Sequence, residues 1–262
     1  MKLDIKIVIL FVLVFLVFET MVKINNLKNK ENFFNKVDEI NDGISIYINL
    51  LESVDRKESI ENQVKLVGLS NIRCNAVKDE YGPLGCLKSH YKSISIAETL
   101  KDKYSWFLIL EDDVVWSKNY TNIYINNQLK NIDIYLKHAP VVLLNGSAKN
   151  EELEDHPLLK DAKLANSNGA YAYIVRSDYL KVLKKEWEES IPKFEKQIIN
   201  FKNKISNDKP LWWYNTDCFP WIDLQKKDKW IMLKNRIATT GFLVSTLENS
   251  LSTFQKKWGK VY

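Results

Sequence analysis

Histidine and cysteine are scarce in this chain of 262 residues, three of each. Cys74, Cys86 and Cys218 are too few for a disulfide framework and show no CxxC spacing of the kind a structural zinc site uses, which leaves one disulfide plus one free thiol open. Internal repeats and low-complexity tracts are absent, so the chain is neither a solenoid nor a tail. A dense basic stripe is absent too. The formal charge is only +5 and the lysines are scattered or gathered toward the C-terminus, a pattern that does not suit a nucleic-acid partner. What remains, 45 % hydrophobic and 27 % charged residues, is ordinary for a globular protein long enough to fold as one large domain.

Ile7 to Phe18, IVILFVLVFLVF, forms an unbroken apolar run behind Lys2 and Lys6. It is shorter than the ~20 residues that cross a bilayer comfortably, and no small-residue cleavage site follows. Residues 1–24 therefore read as a signal anchor, an N-terminal hydrophobic helix that ties the protein to a membrane, with a signal peptide as the alternative. The Asn/Lys-rich stretch 25–42 reads as a stem, and 43–262 as the folded domain on the luminal or extracytoplasmic side. Lysines flank the run on both sides, so the cytoplasmic face is the alternative, and a buried or interfacial helix is the bland reading. Asn119 to Thr121 and Asn145 to Ser147 match the glycosylation triplet.

Strand and helix patterns alternate from Gly43 onward. GISIYINL alternates as a strand, SVDRKESIENQVKLVGL has helical spacing, and IRCNAV reads as a second strand. After the Gly82-Pro83 break, LKSHYKSISIAETLKDK is helical, and WFLILEDDVVW reads as a third, fully buried strand. A helix through Tyr120–Leu136, strands at Ala139–Asn145 and Gly169–Val175, a helix from Asp178 and a strand at KWIMLK follow. This order predicts an α/β fold with a mostly parallel central sheet covered on both faces, and ligands at the carboxyl ends of its strands.

At that end of the third strand stand Glu111, Asp112 and Asp113. Carboxylates driven into an apolar surrounding need a partner, and crowded oxygen ligands suit a hard cation such as Mn²⁺ or Mg²⁺. If strand alternation continues, Glu111 and Asp113 point one way as the metal pair and Asp112 the other. An acidic turn or a helix cap is the structural alternative.

Several motifs together resemble glycosyltransferase family 25, the lipopolysaccharide and collagen galactosyltransferases: YINL followed by Asp55 and Arg56, GPLGCLKSH ending in Ser89 and His90, LILEDDV, and GAYAYIV. The resemblance spans Ile44 to Asp178. It implies a GT-A type fold, a UDP-sugar donor carrying galactose or glucose, and Mn²⁺ held by the acids in the role of a DxD motif. It also places Asn49, Asp55, Arg56, Gly85, Ser89, His90 and Asp112 around the donor. Asp55 read by itself is equally a first-turn helix charge, and His90 by itself is more often structural than a ligand. Asn168 and Gly169 open a strand whose small residues leave room for a sugar, or simply form a turn.

The family inverts, which calls for a base opposite the departing phosphate. Asp217, set among the aromatics of WWYNTDCFPW, is the candidate and Asp223 the reserve. The tryptophans read as a sugar platform or as core packing. Downstream, KWIMLKNRIATTGFLVS departs from the family pattern. The expected activity is hexosyl transfer to a hydroxyl of a glycan, lipid-linked glycan or protein. A non-catalytic carbohydrate-binding protein of the same fold and a metal-dependent phosphoesterase are the alternatives, the latter disfavoured by so little histidine and no second acidic cluster.

Overall fold

The computed structural model describes residues 19–21, 38–206, 209–241 and 257. The chain divides into two units, Met1–Asp38 and Glu39–Tyr262. The apolar run Ile7–Phe18 and residues 25–37 of the stem lie outside the described residues; strand structure begins at Ile40, before the expected domain start at 43, and among the described residues no helix is long and apolar enough to cross a membrane.

The larger unit is built on a seven-stranded sheet. Its strands are β1 (Ile40–Asn49), β2 (Leu69–Asn75), β3 (Trp106–Glu111), β5 (Val141–Leu143), β6 (Ala162–Leu164), β7 (Ala172–Arg176) and β8 (Ile231–Leu233), in the order β2-β1-β3-β7-β5-β8-β6. β2, β1 and β3 are mutually parallel, and β5 pairs parallel with β8. β7 runs against both β3 and β5, and β6 against β8. The sheet is mostly parallel, as expected, with β7 and β6 running opposite to the other strands. A separate two-stranded sheet joins β4 (Val114–Trp116) to β9 (Ala238–Thr240).

Interior strands buried on both faces need apolar residues at nearly every position. β1 and β3 meet that demand, and their alternation sorts the residues into two cores. Ile44, Ile46, Phe107 and Ile109 pack with α2 (Gly82–Thr99), α5 (Leu180–Lys202) and α6 (Phe219–Lys227) on one face. Tyr47, Trp106, Leu108 and Leu110 pack with α1 (Val54–Leu66), α3 (Asn122–Lys130) and α4 (Asp133–Leu136) on the other. Local signals explain the helix starts. Pro83 sits in the first turn of α2, where its missing N–H costs nothing, and the Thr121 hydroxyl accepts the Tyr124 N–H at 3.2 Å to cap α3.

The C-terminal third has the elements that lacked a sequence pattern: α6, β9 and the 3-10 turn Leu211–Tyr214. Trp221 is buried there against Tyr173, Trp187 and Trp230, with centroids 5.0, 6.5 and 4.7 Å away. Core packing, and not a sugar platform, is what this tryptophan supplies. The three cysteines are unpaired. Asn145 is fully buried, so its glycosylation triplet is inaccessible in the folded chain, whereas Asn119 is exposed.

Candidate functional site

β1 and β3 are neighbours, yet the chain leaves β1 through α1 to reach β2 on one side and returns through α2 to β3 on the other. The helices lie on opposite faces, so the connections diverge and leave a crevice beyond the carboxyl ends of β1 and β3, the topological switch point of an open α/β sheet. A cleft of about 330 Å³ lies there. Its lining comes from the end of β1 and the start of α1 (Asn49, Ser53, Arg56), the segment after β2 (Ala76–Asp79), α2 (Gly82, Cys86, Ser89, His90) and the acids Glu111, Asp112 and Asp113.

The acids do not sit as strand alternation predicts. β3 stops at Glu111, and a turn through Asp112 and Asp113 carries the chain into β4, so the pairing of Glu111 with Asp113 has to come from the turn. Asp112 is buried and fully engaged. Its Oδ2 accepts from Asn49 Nδ2 at 2.7 Å, and its Oδ1 accepts from the Arg56 guanidinium at 2.8 Å. Asn49 in turn donates to Ser53 O at 3.0 Å and accepts from Arg73 at 2.6 Å, and Arg73 also donates to Leu50 O. This network ties the ends of β1, β2 and β3 to the start of α1.

Asp113 is the opposite case. Its Oδ1 is buried without a hydrogen-bond partner among the described residues, and its carboxyl is pushed up to about 6, first by burial and then by the charge of Glu111, with Arg56 offsetting in part. Glu111 is about one-third exposed; its Oε1 lies 3.4 Å from His90 Nε2 and 3.9 Å from Cys86 Sγ. An orphaned carboxylate oxygen beside a second acid, with the nearest guanidinium already bound to Asp112, is a donor set with surplus negative charge. It fits a hard divalent cation.

The other sequence candidates divide. Ser89 lines the cleft, but its hydroxyl is committed: it accepts the Val77 N–H at 2.8 Å and donates to Gly85 O at 2.6 Å, pinning the segment after β2 to α2. Gly85 is absent from the lining. A Cβ there would meet Val77 O at 2.7 Å, so this glycine serves close helix-to-loop packing and not donor approach. Asp55 is exposed in the first turn of α1 and also outside the lining, in keeping with a helix-start charge. His90 is completely buried between Tyr173, 5.8 Å away and stacked, and Trp187, with Nδ1 3.1 Å from the Tyr173 hydroxyl.

Asp217 lies just before α6, outside the cleft lining. Its Oδ2 accepts the Gly169 N–H at 3.0 Å, and burial, then Glu111, raise its carboxyl above the usual range. Next to it the Thr216 hydroxyl donates to Cys86 Sγ at 3.4 Å, which links this segment to the cleft wall. Gly169 adopts φ +107°, a conformation that favours glycine, and so presents its N–H to Asp217. Asp223 is exposed on α6, which removes it as a reserve base at this cleft.

Arg73 and Cys86 are among the site residues that the sequence does not single out. Arg73 gives no sequence signal, because its partner Asn49 comes from the neighbouring strand. Cys86 stands four residues before His90, the spacing that puts two side chains on one face of a helix.

No family model matches the sequence, and no curated protein matches it. Among solved structures the chain is similar to a glycosyltransferase involved in the glycosylation of the major capsid of PBCV-1, at 13 % identity and TM-score 0.46, over 80 % of this chain and 98 % of that one. It is also similar to a mutant of Drosophila β1,4-galactosyltransferase 7 in complex with manganese, UDP-Gal and xylobiose, at 12 % identity and TM-score 0.32, over 54 % of this chain and 51 % of that one. Likeness this shallow fixes neither a fold family nor a function.

Proposed function

We propose that the chain is a metal-dependent glycosyltransferase of the GT-A type, related to family 25, that moves a hexose from a UDP-sugar to an acceptor hydroxyl with inversion. The observation that carries this reading is Asp113: a buried carboxylate oxygen with no partner among the described residues, crowded by Glu111, in a cleft at the switch point of the sheet. Glu111 and Asp113 would hold Mn²⁺ or Mg²⁺, which when bound neutralises charge on a diphosphate leaving group.

This chain's own residues do the rest. Arg56, fixed by Asp112, adds positive charge at the cleft wall, and Asn49 holds Asp112 in place. The donor nucleotide lies along the segment after β2 that Ser89 pins. In the transfer step the acceptor oxygen attacks the anomeric carbon, and the carbon–oxygen bond to the diphosphate breaks with its electron pair leaving on phosphate. The acceptor proton passes to Asp217, whose affinity for protons is raised by burial and by the charge of Glu111. The membrane anchor belongs to the same reading and rests on the sequence of Ile7–Phe18.

The test is release of UDP from a panel of UDP-sugars with Mn²⁺, repeated with EDTA. Release from one sugar that EDTA abolishes is expected. Sugar binding with no release would indicate a carbohydrate-binding protein, and cleavage of a simple phosphate ester would indicate a phosphoesterase; either result overturns the proposal.

A further inference from the structure

We propose that Cys86, His90 and Glu111 form a second cation site, selective for a thiophilic divalent ion of the Zn²⁺ class, on the α2 wall of the cleft. Its ligands are Cys86 Sγ, His90 Nε2 and one Glu111 carboxylate oxygen, and these three atoms all lie within 4.8 Å of one another. The reading is independent of sugar transfer.

Geometry supports it first. Bonds of about 2.3 Å to sulfur and about 2.0–2.2 Å to nitrogen and oxygen, set tetrahedrally, place ligand atoms roughly 3.3–3.6 Å apart. The His90–Glu111 separation is 3.4 Å, the Cys86–Glu111 separation is 3.9 Å and the third pair lies within 4.8 Å, so side-chain adjustments of about 1 Å close the set on an ion. Cys86 and His90 are four residues apart on α2 and project from one face, while Glu111 reaches them from the end of β3. All three line the cleft, which supplies an entry path and a water for the fourth position.

The second layer of contacts also suits a metal ligand. His90 Nδ1 is 3.1 Å from the Tyr173 hydroxyl, which can accept the Nδ1–H and leave the Nε2 lone pair for the ion. Ligating histidines almost always hand their other N–H to such a partner. The ring is clamped between Tyr173 and Trp187, so its direction is set in advance. Sulfur and imidazole donors select Zn²⁺-class ions over Mg²⁺ or Mn²⁺. On binding, the Cys86 thiol proton leaves to bulk water. Glu111 is common to this site and to the proposed hard-cation pair, so the two ions would compete for it.

Co²⁺ serves as the probe, because a cobalt–thiolate bond absorbs in the near ultraviolet. Titration of the full chain should give that absorption, with Zn²⁺ displacing it. It should vanish in Cys86→Ser and persist in Cys218→Ser. Absence of the band, or its survival in Cys86→Ser, overturns the proposal. A second measurement needs no variant: Zn²⁺ at about ten times its dissociation constant should slow alkylation of Cys86 about tenfold while leaving Cys218 unchanged. Equal rates at Cys86 with and without Zn²⁺ also overturn it. None of these readouts involves turnover, so failure of the glycosyltransferase reading and failure of this one are separable.

Discussion

The two walls of the cleft solve the same electrostatic problem in different ways. On the β1–α1 wall every charged group has a partner: Asp112 binds Asn49 and Arg56, and Arg73 closes the network onto Asn49 and Leu50. On the α2 wall and its adjoining turn, among the described residues, Asp113 keeps an oxygen without a partner, and Glu111 has a weakly placed histidine and thiol beside it. Satisfied buried charge holds a structure in one arrangement, whereas unsatisfied buried charge costs stability and persists where something else, such as a ligand, completes it. The contrast gives Asp112 a scaffold position and is the ground on which the proposed function puts the chemistry at Glu111 and Asp113, although the three are consecutive in sequence.

The largest effect that separates the walls is on turnover. Asp113→Asn should lower Mn²⁺-dependent UDP release by about a thousand-fold, in the range seen when one electrostatic contact to a transition state is removed, with the circular dichroism spectrum unchanged. Near-normal release would place the cation elsewhere.

Next in size is Asp112→Ala, which should act on stability. Breaking a buried ion pair strands the other charge and typically costs 3–5 kcal/mol; with both side chains about one-tenth exposed, about 3 kcal/mol is expected here, read from urea unfolding. A loss of turnover with unchanged stability would reverse the division of labour between the walls.

A smaller effect follows from the titration of Asp113 in protein stripped of metal. Its carboxyl is raised to about 6 from an ordinary 3.8, so the folded state holds the proton more tightly than the unfolded one. The stabilising contribution is complete below about pH 4 and is lost as pH rises through about 6. That loss amounts to about 2 kcal/mol once partial solvation is allowed for. Unfolding free energy measured in EDTA across that window should therefore fall in the wild type and show a flatter slope in Asp113→Asn. Equal slopes would mean that Asp113 is not the strained group.

How much of this could be read from residues alone depends on the range of the interactions that make each element. The apolar runs of β1 and β3 declare themselves because burial on both faces writes a local pattern. β6 and β9, three residues each, exist only through pairing with β8 and β4, and α6 begins inside an aromatic cluster whose residues look alike in any conformation. The acids are visible as a group, and alternation divides them in the same way, Glu111 and Asp113 from Asp112, but the alternation it rests on ends at Glu111. Nothing local says that β3 stops at Glu111 and turns, and the guanidinium that neutralises Asp112 comes from residue 56. Cys86 was overlooked for a related reason. Taking Gly82-Pro83 as a break puts the helix start at Leu87 and leaves Cys86 outside it, whereas proline in a first turn is a start signal.

Asp55 offers the smallest expected effect and the sharpest check on where the scaffold wall ends. The family resemblance places it with the donor beside Arg56, but the structure puts its side chain in solvent at the first turn of α1, while Arg56 one residue on faces the cleft. An exposed negative charge at a helix N-terminus stabilises by about 0.3–1 kcal/mol, and salt screening puts this one, at the second helical position, toward the low end. Asp55→Asn should therefore change unfolding free energy by less than about 0.5 kcal/mol and leave the KM for the UDP-sugar within about twofold. A tenfold rise in KM with kcat unchanged would show that Asp55 contributes binding in ground and transition state alike. The donor would then reach around the start of α1, and the β1–α1 wall would belong to recognition as well as to support.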